Sequence, residues 1–294
     1  MSRKIFTTIC LIISLLFQSA FIFPAKHADD IKLKAVLVSD IHTDGNPIDE
    51  RCDVQRKVFC NIGKTQNDAD TIVMSGDLTN CGDEKEYFHL LNFLNLYCKI
   101  RNRVPEMGNH DSWHHSDDPD YEIAEKNFLQ FCKRCGVKTD KVYFSKEVKG
   151  YTFISTGVED ADFGNSYLSE EQLEWIDSEL ERACGEGRPV FFICHKPIYS
   201  MGDVRGKLSE ILYKNAENAS APIIYISGHW HELGADTFFV PRENLIYLNL
   251  PSLLHTDDGG LGFTAEVYDK KVVLTGMDFL KNEALDGFTY TLEF

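Results

Sequence analysis

Short, uninterrupted apolar runs alternate along the chain with longer segments whose apolar residues lie three or four positions apart. Runs of about four to eight apolar residues are typical of buried strands, and the three-four spacing is typical of amphipathic helices. The runs predict strands at 31–38, 70–75, 104–107, 188–194 and 223–227. The spaced segments predict helices at 53–63, 83–98, 121–135, 169–184 and 207–217. This regular exchange of strand and helix predicts an α/β fold.

Further apolar segments predict strands that are joined by tight turns. The segments 142–145 and 151–155 enclose Lys149 and Gly150, which predicts a β-hairpin. From residue 235 to the last residue, five short apolar segments alternate with turn-forming residues. We expect these five segments to be antiparallel strands that close a second sheet.

Polar side chains follow five of the predicted strands, at the point where each strand ends. They are Asp40 and His42, Asp77, Asn109 and His110, His195, and His229 and His231. In open α/β sheets, ligands bind outside the carboxyl ends of the strands, so we expect these side chains on one rim. Residues two positions apart on an extended strand point to the same face, which predicts that Asp40 lies beside His42. The same spacing predicts that His229 lies beside His231.

The segment from Gly108 to Asp111 combines several chemical groups in one turn. Gly108 allows the backbone to turn sharply, and Asn109 offers a carbonyl oxygen to a hard cation. His110 can carry a proton near neutral pH, and Asp111 could hold its imidazole in one orientation. Taken alone, the segment fits equally well an ordinary turn that contains a hydrogen-bonded histidine.

Composition and charge narrow the classes of partner. The chain has 294 residues, of which 43% are hydrophobic and 26% charged, as in ordinary globular proteins. Its net charge of −16 argues against nucleic acid or an anionic membrane surface as a partner. An anionic substrate therefore needs local positive charge, which bound metal ions could supply.

The first residues predict a targeting segment. Arg3 and Lys4 precede an apolar run from residue 5 to residue 23, which is the pattern of a secretory signal. We interpret 1–28 as either a signal peptide or a signal anchor, and 31–294 as the folded domain. The chain is therefore expected to be exported, whether secreted, periplasmic or held at the cell surface.

The cysteines leave their own alternatives open. Eight cysteines follow Cys10, and an even number in an exported chain predicts disulfides without fixing their pairing. Cys132 and Cys135 could form a local bridge or bind a metal ion. Cys194 lies within an apolar strand, which favours a buried thiol.

The five polar motifs, in this order, resemble those of the calcineurin-like metallophosphoesterases. That family has D-x-H, G-D, G-N-H-[DE], a lone H and G-H-x-H, and every block is present between residues 40 and 231. The resemblance implies a four-layer αββα sandwich of two mixed sheets flanked by helices. It also implies two divalent transition metal ions, for which Mn, Fe, Zn, Co and Ni are the candidates.

The resemblance assigns the ligands by motif position. It implies that Asp40, His42 and His231 hold the first metal ion and that Asn109, His195 and His229 hold the second. Asp77 would bridge the two ions. A hydroxide between the ions would then attack phosphorus, with His110 as the general acid and Asp111 orienting His110.

The resemblance leaves the substrate open between a phosphodiester and a phosphomonoester of a small molecule. Asn80 stands where purple acid phosphatases have a tyrosine, so a metal centre in which a tyrosinate binds iron is disfavoured. The motif forms are most similar to the branch that contains bacterial cyclic-nucleotide phosphodiesterases. Five residues could contact the substrate, although loop or packing roles fit them as well: His114, His115, Tyr199, Ser252 and His255. The alternative function is a non-catalytic metal-binding scaffold on the same fold, and the oligomeric state is open.

Overall fold

Two mixed six-stranded sheets form the centre of the molecule. A computed structural model describes residues 30–46, 50–113, 120–161, 168–233, 239–242, 244–254 and 259–294. The first sheet has the order β12-β11-β10-β1-β2-β3, with strands β1 (Leu33–Val38), β2 (Thr71–Met74), β3 (Asn102–Pro105), β10 (Leu261–Val267), β11 (Lys271–Asp278) and β12 (Glu283–Glu293). The second sheet has the order β4-β5-β6-β7-β9-β8, with strands β4 (Phe144–Val148), β5 (Tyr151–Ser155), β6 (Val190–Ile193), β7 (Ile223–Ser227), β8 (Phe239–Arg242) and β9 (Leu245–Asn249).

Five α-helices connect the strands of the described segments. They are α1 (Glu50–Thr65), α2 (Glu84–Phe93), α3 (Tyr121–Arg134), α4 (Glu170–Cys184) and α5 (Arg205–Asn218). Helix α2 continues as a π-helix over Leu94–Cys98, and two 3₁₀ turns at Ile198–Ser200 and Gly202–Val204 precede α5. The fold-class prediction is confirmed, because both sheets are mixed and helices accompany them.

Strands β5, β6 and β7 of the second sheet bury side chains on both faces, which explains their largely apolar sequences. On β5 and β6, Phe153 and Phe191 belong to the core cluster that also contains residues of the first sheet, such as Leu37. The alternate residues Ile154 and Phe192 belong to a second cluster with residues of α4 and α5. The period of two along each strand therefore separates an inner core from an outer, helix-covered core.

The carboxyl ends of parallel strands from both sheets meet at one edge of the molecule. β1, β2 and β3 run parallel in the first sheet, and β5, β6, β7 and β9 run parallel in the second. Ser155 Oγ donates a hydrogen bond to the Pro105 carbonyl at 2.9 Å, which links the end of β5 to the end of β3. The segments that follow these strands therefore face each other across the two sheets.

The assignment of the last strands to a second sheet alone is wrong. β8 and β9 do join the second sheet, but β10, β11 and β12 extend the first sheet beside β1. Ala265 of β10 pairs with Ala35 of β1 in antiparallel register. Alternating apolar segments indicate strands, but they carry no information about which distant strand each one pairs with.

The prediction of disulfides is also not met. All eight cysteines of the described residues are free thiols, and Cys194 is buried, as predicted. The predicted targeting segment, including Cys10, lies outside the described residues. Among the helices that are described, none has both the length and the apolar character needed to span a membrane.

Candidate metal centre

Six of the seven predicted ligand side chains come together where the two sheets meet, and the seventh, Asn109, follows β3 at the same edge. Four of them, Asp40, His42, Asp77 and His231, present ligand atoms that all lie within 4.8 Å of one another. Asp77 also forms a second group of this kind with His195 and His229. Asp77 is therefore common to both groups, in the position that sequence motifs assign to a bridging carboxylate.

The distances within the groups are short. In the first group, His231 Nε2 lies 2.9 Å from Asp40 Oδ1 and 3.2 Å from His42 Nε2. In the second group, His195 Nε2 lies 3.1 Å from Asp77 Oδ2. Carboxylate and imidazole groups this close together are the mixed oxygen and nitrogen ligands that divalent transition metals prefer.

Two buried polar atoms support the fit of metal ions to this site. Asn109 Oδ1 and His195 Nε2 are buried and accept or donate no hydrogen bond among the described residues. His195 Nε2 has the Asp77 carboxylate 3.1 Å away as an electrostatic partner. Leaving a buried polar atom unsatisfied costs about 1–3 kcal/mol, which coordination to a cation would offset. The residues present therefore fit the group that their motifs imply.

Left-handed backbone conformations bring the ligands together. Among the described residues, eight non-glycine residues have positive φ, and five of these are predicted ligands: Asp40 (51°), His42 (47°), Asp77 (48°), His229 (73°) and His231 (64°). Each such conformation is unfavourable by roughly 1–2 kcal/mol and persists only where the surrounding structure imposes it. The prediction that an extended strand places Asp40 beside His42, and His229 beside His231, rested on a wrong premise. Strands β1 and β7 end before these residues begin.

Glycines beside the ligands provide space for close approach. A Cβ atom at Gly228 would lie 1.8 Å from Ser39 Oγ and 2.3 Å from Asp40 Oδ2. A Cβ atom at Gly108 would lie 2.2 Å from the backbone nitrogen of Asp77. Gly108 does not have a positive φ, so its requirement comes from this contact rather than from the sharp turn that the sequence suggested.

Backbone hydrogen bonds fix the two carboxylates. Asp77 Oδ1 accepts a hydrogen bond from His110 N at 2.8 Å, and Asp40 Oδ2 accepts one from His229 N at 3.0 Å. Ser252 Oγ donates to the Asp40 carbonyl at 2.9 Å and is buried. The sequence left Ser252 open between contact with the substrate and a packing role, and the structure shows it packed beside Asp40.

Burial and neighbouring charges set the ionisation of the ligands. Burial lowers the pKa of His42 and of His229 to about 4, so both imidazoles are neutral at pH 7 and can coordinate a metal ion. Burial opposes ionisation of Asp77, but the neighbouring imidazoles of His195, His42 and His110 together outweigh it and hold the pKa of Asp77 well below its usual range. Burial likewise opposes protonation of His195, but the Asp77 and Asp40 carboxylates raise its pKa to about 10.

The predicted role of Asp111 is wrong. Its carboxylate is fully buried and accepts hydrogen bonds from Leu78 N, Thr79 N and Gly108 N, each at 3.0 Å, and from Thr79 Oγ1 at 2.6 Å. The Nδ1 atom of His110 lies 2.9 Å from the Asn80 carbonyl oxygen instead. Because all its hydrogen bonds go to the neighbouring loops, Asp111 joins the segment after β2 to the segment after β3.

Glu106 was missed by the sequence interpretation. Its carboxyl group is buried behind His195, where it accepts hydrogen bonds from His195 N at 2.5 Å and from Thr156 Oγ1 at 2.9 Å. Ser75 Oγ donates to its other oxygen at 3.2 Å, and burial raises the pKa of Glu106 to about 8. The available signal was an acidic residue within an apolar run that leads into Gly108.

Of the other four residues predicted to contact the substrate, the structure describes Tyr199 alone. Tyr199 is half exposed on the 3₁₀ turn that follows His195. His114, His115 and His255 lie outside the described residues.

Comparison with known proteins supports the same chemistry. The family model described as calcineurin-like phosphoesterase matches residues 33–233. A 3′,5′-cyclic-nucleotide phosphodiesterase of Nostoc sp. is 26% identical over 202 residues. That alignment covers 66% of this chain and 66% of the relative, so it spans just under two thirds of the relative's length.

Solved structures resemble the chain in fold. A dimetal phosphatase from Danio rerio has a TM-score of 0.62 at 14% identity, covering 90% of this chain and 99% of that one. The purple acid phosphatase PPD1 of yellow lupin (Lupinus luteus) has a TM-score of 0.57 at 12% identity, covering 89% of this chain and 53% of that one.

Proposed function

The chain belongs to the calcineurin-like phosphoesterase family, and from this premise we propose that it is a metal-dependent hydrolase of phosphate esters. The observation that carries the proposal is the position of Asp77, which belongs to two groups of ligand atoms at once. A carboxylate shared between two ligand groups would allow two metal ions to sit side by side, as in a binuclear metal centre.

We assign the ligands as the motifs do. Asp40, His42 and His231 would hold one ion, Asn109, His195 and His229 would hold the other, and Asp77 would be shared by both. When bound, two divalent ions supply positive charge to the phosphate oxygens and lower the pKa of a water molecule enough for attack on phosphorus near neutral pH. The buried carboxylates and the imidazoles of the chain would hold that charge in place.

His110 is the proposed proton donor to the leaving oxygen. Its Nδ1 atom lies 2.9 Å from the Asn80 carbonyl, so the proton on Nδ1 is donated there and the transferable proton is on Nε2. Its ring lies edge-on to His42, with centroids 4.6 Å apart, which places it beside the first group of ligands. Protonation of a poor leaving group by a positioned imidazole contributes about 10²–10⁴-fold to a rate.

The first substrate class to test is a phosphodiester of a small molecule, with monoesters beside it. The Nostoc relative is named as a cyclic-nucleotide phosphodiesterase, which supports a diester. The net charge of −16 gives no support for nucleic acid as a substrate.

Hydrolysis of aryl phosphodiesters and aryl phosphomonoesters by the purified protein, loaded in turn with Mn, Fe, Zn, Co or Ni, tests the proposal. We expect turnover with at least one metal, and Asp77→Asn should lower it by about 100-fold or more with an unchanged circular dichroism spectrum. Asp286→Asn, at an exposed position of β12, is the matched control and should keep full activity. Stoichiometric metal binding without turnover would favour the non-catalytic scaffold, and equal activity in Asp77→Asn would refute the bridging role.

We also propose that residues 1–28 direct export of the chain. The support is the charged start, at Arg3 and Lys4, followed by the apolar run 5–23. Fractionation of expressing cells, with sequencing of the mature amino terminus, distinguishes a cleaved signal peptide from a retained anchor. Equal cytosolic retention of the full chain and of a chain that begins at residue 29 would refute export.

A further inference from the structure

Two exposed aromatic side chains stack against each other beside the candidate metal centre. Tyr199 is 47% exposed and Trp230 is 48% exposed. Their ring centroids are 6.3 Å apart, and the ring planes differ by 25°. The two rings therefore form a near-parallel aromatic pair, about half of each residue is open to solvent, and we call this pair the Tyr199–Trp230 surface.

The chain fixes this surface next to the metal ligands. Trp230 lies between His229 and His231, both of which have left-handed backbone conformations, and its ring centroid is 5.9 Å from that of His229. Tyr199 lies on the short turn that begins three residues after His195. The rings of His195 and His229 are themselves 5.4 Å apart, so a continuous row of rings leads from the centre to the surface.

Such a surface suits a flat, uncharged ring. Exposed aromatic faces bind other aromatic rings by stacking, with geometry that is tolerant of ring identity. A stacked ring also adds affinity without adding negative charge, which matters for a chain whose net charge is −16. Because the surface adjoins the ligand groups, one molecule could place its phosphate at the centre and its ring on Tyr199 and Trp230.

We propose that the Tyr199–Trp230 surface binds the ring of the substrate, so that the preferred substrates are phosphate esters that carry a nucleobase. This inference rests on the proposed function, because the metal centre must hold the phosphate. It goes beyond that function by assigning a specificity site and a substrate class. Trp230 and Tyr199 contact the substrate only through its ring, and they take no part in the proton transfers.

The test compares substrates that differ only in the ring. Adenosine 5′-phosphate is paired with ribose 5-phosphate, and adenosine 3′,5′-cyclic phosphate is paired with methyl riboside 3′,5′-cyclic phosphate. For each pair that is hydrolysed, we compare kcat/KM of the substrate that carries the base with kcat/KM of the substrate that lacks it. We expect this ratio to be about tenfold or more, the effect of one stacked base.

Substitutions then locate the effect. Trp230→Leu and Tyr199→Leu should each lower the ratio toward one, and Trp230→Phe should restore most of it because a flat ring returns. Tyr213→Leu is the matched control, since Tyr213 is 39% exposed on α5, and it should leave the ratio unchanged. The metal content of each variant is measured, so that any loss of ions is separated from a loss of stacking.

A second readout does not need turnover. The Kd values of an adenosine 5′-phosphonate and of the matching ribose phosphonate, measured by calorimetry on the metal-loaded protein, should differ by about tenfold and converge in Trp230→Leu. Equal Kd values in the wild type, or a ratio that survives both leucine substitutions, would overturn the inference. Base-dependent binding without hydrolysis would instead support the surface and contradict the proposed function.

Discussion

Buried carboxyl groups around the centre have separate tasks, and their hydrogen bonds distinguish them. Asp40 and Asp77 present oxygen atoms to the ligand groups, whereas Asp111 and Glu106 accept hydrogen bonds from the surrounding chain. Burial and the nearby Asp77 charge raise the pKa of Asp111 to about 6, although four donors face its two oxygens. Residues adjacent in the sequence, such as His110 and Asp111, therefore act on different parts of the site.

Comparison of Asp111→Ala with His110→Ala tests this separation. Asp111→Ala leaves several buried donors unsatisfied, so we expect the free energy of unfolding to fall by about 3 kcal/mol or more. His110 is partly exposed, and His110→Ala should change the free energy of unfolding by less than about 1 kcal/mol. Denaturant titration measures both values.

Kinetics complete the comparison. His110→Ala should slow substrates with poor leaving groups more than those with good ones, as expected for loss of a general acid. A stable Asp111→Ala protein with the same leaving-group dependence would show that Asp111 acts through His110 after all.

At the scale of elements, strand ends and helix starts carry the specific chemistry. β1, β2 and β7 end one or more residues before their ligands, and left-handed residues then turn the chain toward the centre. Helix α2 begins with a complete capping box, in which the Asp83 side chain accepts from Glu86 N and the Glu86 side chain accepts from Asp83 N. These three strands thus end next to candidate metal ligands, and helix α2 begins at residues whose side chains form hydrogen bonds with the backbone.

Gly228→Ala tests the need for space behind Asp40. Its Cβ would lie 2.3 Å from Asp40 Oδ2, so the carboxylate must move and the first group of ligands must open. We expect a folded protein that loses about 10–100-fold in metal affinity, measured by competition with a metal chelator.

Gly206→Ala is the control for that substitution. Gly206 lies in α5, a Cβ there meets nothing within 4 Å, and alanine is the better helix former. Metal affinity should stay at the wild-type value. A Gly228→Ala protein that also keeps wild-type affinity would refute the packing argument.

Glu86→Gln tests the titration of the capping box. Burial raises the pKa of Glu86 to about 7 from an ordinary value of 4.5. The folded state thus binds a proton between these values that the unfolded state releases, so the stabilisation present below pH 4.5 is lost as pH rises to about 7. Relative to Glu86→Gln, the wild type should lose about 3 kcal/mol of unfolding free energy over that range.

The test depends on the difference in the free energy of unfolding between the wild type and Glu86→Gln, because the other carboxyl groups titrate equally in both proteins. Denaturant titrations at several pH values supply it. A difference that is constant between pH 4.5 and 7, or that rises with pH, would contradict the shifted pKa.

At the scale of the whole molecule, the centre joins the two sheets. Asp40, His42, Asp77 and Asn109 follow strands of the first sheet, and His195, His229 and His231 follow strands of the second. An ion held by ligands from both sheets stabilises the folded chain over the unfolded one, because the unfolded chain has no assembled site.

Metal removal should therefore lower the thermal stability of the whole fold. At a free metal concentration about 100 times the Kd, binding contributes about 2.7 kcal/mol, which raises Tm by several degrees relative to a chelator-treated sample. Asp77→Asn should show a much smaller metal-dependent shift in calorimetry. An equal shift in that variant would indicate that the stabilising ions bind elsewhere.

The sequence predicted the fold class and the cluster of candidate metal-binding side chains because both depend on local patterns. Apolar runs defined most of the strands, and Asp40, Asp77 and His195 stand where those runs end. The partners of β10–β12 and the four donors to Asp111 depend on residues distant in the sequence, so no local pattern indicated them. Glu106 was missed for the same reason, because its partners Ser75, Thr156 and His195 come from three different segments.

The most direct test of the central claim is an anomalous-scattering crystal structure of the protein loaded with manganese. We predict two anomalous peaks, both within coordinating distance of Asp77. One peak should contact Asp40, His42 and His231, and the other should contact Asn109, His195 and His229. A single peak, or two peaks that do not share Asp77, would contradict the binuclear centre.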